Sequence, residues 1–126
     1  MKKDHTIWKL MAGYLLILLF MLMSNMAKGQ SPCGGNGICV TQFNAGFNAA
    51  NKVPWVNKLT DCDNKFIDIQ TDSKAAGTYK IVVVPTIVIY SDGEEMARFQ
   101  ANIMMQMEST QKEIQSKIDE ILMDTF

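Results

Sequence analysis

With 126 residues the chain has room for one domain, and its single histidine, His5, sits near the N-terminus in what reads as a removable leader. From Gln30 onward twelve acidic side chains stand against eight basic ones, a net charge of about −4 that repels phosphate backbones and excludes nucleic acid as a partner. A region without histidine cannot build a Ser-His-Asp or Cys-His site or an imidazole-ligated zinc site, and neither a metal nor another cofactor is expected.

The N-terminus reads as an export signal. Lys2, Lys3 and Lys9 introduce an apolar run of 14 residues, Leu10 to Met23, which fits a signal-peptide core and falls short of the ~20 residues a bilayer span requires. Ala27-Lys28-Gly29 places small residues where a signal peptidase reads them, so residues 1–29 are expected to be removed and the mature chain to start at Gln30. The alternative is an uncleaved anchor through residues 7–26, the one membrane contact the sequence offers. In both readings the remainder is exported, either periplasmic or secreted. Residues 30–37 read as a flexible lead-in and 38–126 as the domain.

All three cysteines, Cys33, Cys39 and Cys62, lie in the exported part, where oxidation is permitted. Cys33 and Cys39 enclose a glycine-rich loop able to close on itself, and a structural bridge between them is the leading reading. A redox-active pair is the alternative, and Cys62 is then unpaired or belongs to another connectivity.

In chain order, Gln30 to Gly37 is a loop and Ile38 to Ala45 a β-prone first strand. A helix should follow, capped by Asn48, with Ala49, Val53, Val56 and Leu59 on one face and a kink at Pro54. Thr60 to Lys65 reads as a turn and Phe66 to Ile69 as the second strand. Asp72-Ser73 caps a short helix over Lys74 to Lys80, weakened by Gly77. The apolar stretch Ile81 to Tyr90 carries Pro85, which a central strand tolerates only at its first position, so Thr86 to Tyr90 is the third strand and Val84–Pro85 a candidate cis peptide. Ser91-Asp92-Gly93-Glu94 is a tight hairpin leading into a fourth strand, Met96 to Ala101. After a connection rich in Ile and Met, Asn102 to Met107, the Thr110-x-x-Glu113 capping box opens a last helix with Ile114, Ile118, Ile121 and Leu122 on its apolar stripe. The order predicts an α/β domain: a βαβ unit, a hairpin and a C-terminal helix around a four-stranded mixed sheet.

Several of these segments resemble the thioredoxin family. Phe66 to Ile69 is similar to its second core strand. Tyr79-Lys80-Ile81 followed by Val84-Pro85-Thr86 is similar to its Tyr-x-Ile-x-x-x-Pro-Thr signature, whose proline is cis. Ser91 to Glu94 and Arg98-Phe99 resemble its hairpin and the strand after it. The resemblance implies a thioredoxin-like fold. It also implies a departure, because the best match to the family's Trp-Cys-x-x-Cys is Phe47-Asn48-Ala49-Ala50-Asn51. Asn48 and Asn51 hold the cysteine positions, and an amide is neither a nucleophile nor a redox centre.

What the resemblance leaves is a surface. Phe47, Val84, Pro85 and the Ala101-Asn102-Ile103 turn are expected to converge on an apolar groove, with the Val84 backbone available to an extended peptide. Met104, Met105 and Met107 follow directly, either as an adaptable binding face or as core under the last helix. The expected role is therefore binding of a peptide or protein segment by a redox-inactive, exported domain. The alternatives are a thiol–disulfide oxidoreductase using displaced Cys33 and Cys39, with or without Cys62, or a structural subunit of an envelope assembly.

Overall fold

The computed structural model describes residues 13–15 and 31–125; the expected signal segment, apart from residues 13–15, lies outside the described residues. Among the described residues no helix is long and apolar enough to cross a membrane. Four strands form one sheet in the order β2-β1-β3-β4: β1 (Ile38–Asn44), β2 (Asp63–Asp68), β3 (Thr86–Ser91) and β4 (Glu94–Gln100). β1 and β2 are parallel, and β1–β3 and β3–β4 are antiparallel.

Every residue of β1 is buried, as a central strand covered on both faces must be. Its alternation divides the core. Ile38 and Val40 join Ile87, Ile89 and the helix α2 (Gln111–Asp124) on one face. Cys39 and Phe43 join Val88, Tyr90, Ile81 and the single turn α1 (Ala75–Thr78) on the other. The stripe expected on the last helix is the one that packs: Ile114, Ile118 and Ile121 are buried and Leu122 lies partly buried against them. Thr110 Oγ1 accepts a hydrogen bond from the Glu113 N–H at 3.2 Å, the capping contact. Thr110→Ala should lower stability by about 1 kcal/mol, read as a shift in the urea midpoint at constant slope.

The hairpin is the two-residue turn that its sequence requires, with Asp92 at φ 50° and Gly93 at φ 84°. α1 is shorter than the expected Lys74 to Lys80, because Lys80 turns to φ 56° and ends it. β2 begins three residues before the expected Phe66, and Asp63 to Lys65 is strand rather than turn. Its place at the sheet edge explains this, since exposed edge positions accept polar side chains and carry no hydrophobic signal.

The largest correction concerns the first helix. Residues 48–59 form no α-helix; two 3-10 turns, Gly46–Asn51 and Val56–Lys58, take its place. Pro54 has no N–H to give and biases Val53 toward extended backbone, and Lys52 is already at ψ 133°. Asn48 is not an N-cap, because it lies inside the first turn with Ala45 ahead of it in the capping position. Val53, Val56 and Leu59 still reach the core, but Ala49 is exposed.

Candidate functional site

β1 delivers the chain to a cluster of amides. At its C-terminal end Asn44 is buried, and after the Ala45-Gly46-Phe47 turn the chain returns with Asn48, only 5% exposed. The turn is held by Gln70, whose Oε1 accepts the Phe47 N–H at 3.1 Å. Asn48 Nδ2 then points at three oxygens: Asn44 Oδ1 at 3.1 Å, the Met105 carbonyl at 3.1 Å and the Val84 carbonyl at 3.3 Å. Two amide hydrogens serve three acceptors, so one hydrogen is shared. Asn48 Oδ1 accepts from Asn51 Nδ2 at 2.8 Å, and the Asn48 carbonyl accepts from Asn44 Nδ2 at 3.1 Å. One side chain thereby ties together the end of β1, the segment before Pro85 and the loop after β4.

The Val84–Pro85 peptide is cis, and both residues are buried. Ala101 donates its N–H to the Pro85 carbonyl at 3.0 Å, continuing the β3–β4 ladder by one step. Beyond it Asn102 organises its own loop, its Oδ1 accepting the N–H groups of Met104 at 2.9 Å and Gln106 at 3.1 Å. That loop places Met105 at φ 57° with its carbonyl toward Asn48, and leaves Ile103 97% exposed. Phe47 is 68% exposed, and Met104 and Val82 are exposed as well. The Val84 carbonyl accepts one bond, from the Asn48 amide, and the Val84 N–H has no partner among the described residues.

Chemically the cluster is a set of neutral donors matched to neutral acceptors. No helix N-terminus stands behind Asn48, so no array of aligned N–H groups favours an anion there. Sulfur at that position would face oxygen acceptors. Asn44 and Gln42 are the residues that the sequence reading missed. Two amides in a fully buried strand were the available signal, since a buried amide needs partners.

The cysteines lie elsewhere. Cys33 and Cys39 form a disulfide with their Cα atoms 6.2 Å apart. The loop they close is tied to the β3–β4 turn: Gly37 N–H donates to Asp92 Oδ1 at 2.8 Å, and the Asp92 N–H to the Gly37 carbonyl at 2.9 Å. The lead-in from Cys33 to Gly37 is therefore fastened to the body. Cys39 stands five residues before Asn44 on β1, roughly 16 Å along an extended strand, so the bridge and the proline segment occupy opposite ends of the sheet.

Cys62 is free and packs on the α2 side of the sheet, whereas Cys33 and Cys39 belong to the other face, which separates it from any relay with them. Burial, then the carboxylates of Asp63 and Asp61, push its thiol up to about 11. Burial and Glu95 likewise push the Tyr90 phenol up to about 12. Both groups hold their proton more tightly folded than unfolded. Stability should therefore fall as pH rises above 9, the ordinary thiol value, and keep falling toward 12, with Cys62→Ser removing the earlier part of the loss. Denaturation midpoints measured across that range check this; a flat profile contradicts it.

Neither a protein-family model nor a curated protein sequence matches this chain. Solved structures do. A mutant thioredoxin from Halobacterium salinarum is similar at TM-score 0.56 and 23% identity, over 68% of this chain and 74% of that one. The Schistosoma mansoni thioredoxin is similar at TM-score 0.53 and 18% identity, over 68% and 78%. A malaria-parasite thioredoxin-2, described as a component of a protein secretion machinery, is similar at TM-score 0.54 and 15% identity, over 68% and 84%. The fold is thioredoxin-like: a four-stranded mixed sheet in an α/β domain.

Proposed function

We propose that this thioredoxin-like chain is exported, is redox-inactive beside its cis-proline, and works by binding a peptide or protein segment across the surface formed by Phe47, Ile103 and Met104. The observation that carries the reading is the Asn48 amide, rather than a thiol, bonded to the Val84 carbonyl directly ahead of Pro85. The Asn48–Met105 bond supports the surface, because it brings the segment carrying Phe47 and the loop carrying Ile103 and Met104 to one anchor. Such exposed apolar side chains on a fixed loop suit contact with another chain. Export rests on Lys2, Lys3, Lys9 and the Leu10 to Met23 run.

Two measurements test this. Insulin-disulfide reduction by the purified protein should stay at the uncatalysed rate; turnover that disappears in Cys33→Ser would instead support the displaced-cysteine oxidoreductase. Peptides selected from a random library on the protein should lose at least about tenfold in affinity with Ile103→Asp or Phe47→Ala and keep it with Met123→Asp, on exposed α2. Binding that ignores Ile103 and Phe47 removes this surface from consideration.

A further inference from the structure

Thr41 shares a face of β1 with Cys39, and its side chain is fully buried. Its Oγ1 lies 3.4 Å from Cys33 Sγ and 3.5 Å from Cys39 Sγ, and it has no other side-chain partner among the described residues. A bridged sulfur carries no hydrogen, so the hydroxyl is the donor in both contacts. Disulfide sulfur is a weak acceptor, and a buried hydroxyl aimed at nothing stronger is poorly served. The same hydroxyl suits a sulfur that bears negative charge, because a hydrogen bond to an ionised acceptor is roughly twice as strong as a neutral one. The placement of Thr41 therefore fits the opened bridge better than the closed one.

The two sulfurs differ in access. Cys39 is 2% exposed inside β1, whereas Cys33 is only partly buried and is followed by exposed residues 34–37. A side chain started at Gly34, Gly35 or Gly37 would meet nothing within 4 Å, so the space around the loop is open. Opening the bridge would not release the loop, because the paired Gly37–Asp92 bonds and the Lys65–Pro32 bond do not depend on sulfur. Cys33 thus stays within reach of Cys39.

We propose that the Cys33–Cys39 bridge is a reversible capture site for a thiol, with Cys33 as the attachment point and Thr41 as the donor that holds the leaving sulfur. An incoming thiolate attacks Cys33 Sγ, the new S–S bond forms as the Cys33–Cys39 bond breaks, and the electron pair leaves on Cys39 Sγ. Thr41 donates to that thiolate until it takes a proton from solvent. One disulfide replaces another, so the thiol is the only co-reactant. Return attack by Cys39 on Cys33 expels the guest and restores the bridge. Buried Cys39 can return only to Cys33, so capture is stoichiometric and is not turnover of a protein disulfide. The site lies at the opposite end of the sheet from Asn48 and Pro85 and is independent of the surface proposed there.

The probes are reduced glutathione and a blocked peptide with one cysteine, each added in excess to the oxidised protein. Acid-quenched samples are read by intact mass and peptide mapping. The expected result is one adduct per chain, on Cys33, with a free thiol at Cys39 and return of the bridge when the thiol is removed. Uptake of either probe supports capture; the faster one identifies the guest as a small thiol or as the cysteine of a partner chain. Thr41→Val should slow adduct formation at least about tenfold, and Thr41→Ser should restore the rate. Circular dichroism establishes that both variants are folded, and the attachment point is read on the unaltered chain whatever the variants do. An adduct on Cys39 or Cys62, no adduct with either probe, or a rate unchanged by Thr41→Val would each overturn the inference.

Discussion

Asn48→Ala should lower folding stability by about 2–4 kcal/mol, because it strips partners from the Val84 and Met105 carbonyls and from Asn44 and Asn51 in a largely buried site. A neutral hydrogen bond is worth only ~1 kcal/mol net, but a buried oxygen left without a donor loses its hydration as well. The measurement is a urea titration, where the midpoint should fall by at least about 1 M for a domain of this size. Asn48→Asp is nearly isosteric and should fare no better at neutral pH, since it replaces the amide nitrogen by an acceptor where three oxygens converge. Amide exchange should accelerate at Gln106 in both variants, as the Asn102 loop loses its tie to the body. An unchanged midpoint in both would mean that the amide cluster holds nothing together.

Gln42→Leu should cost about 2–3 kcal/mol for the same reason in a different place. Leucine keeps the volume and the burial, so the loss isolates the pair of bonds to the Val53 backbone. Those bonds act as a short strand pairing made by a side chain. They give Val53 the partners that a helical ladder would have supplied, immediately before Pro54 removes a donor. If the urea midpoint of Gln42→Leu matches that of the native protein, the Val53 backbone finds equivalent partners without the amide.

The two substitutions describe one device. After β1 this chain places 3-10 turns stapled to the strand by Gln42, Asn44 and Asn48. A helix start offers free N–H groups and favours an anion; amides that satisfy each other offer neither.

Local chemistry by itself determined much of the molecule. The left-handed Asp92-Gly93 turn, the Thr110 cap with its isoleucine stripe, and the strand starting at Thr86 after Pro85 follow from residues within a few positions of one another. Nearest-neighbour preferences suffice there because each element is specified by its own turn, cap or period. Only the tertiary structure decided the rest. β2 extends back to Asp63 because β1 lies beside it, and the Val53 backbone, ahead of Pro54, takes its partners from the Gln42 side chain of β1. The Val84 carbonyl meets the Asn48 amide, 36 positions earlier, only because the fold brings the two together. Hydrogen-bond partners that far apart in sequence leave no periodic trace, since buried polar groups are satisfied by whatever the fold brings near.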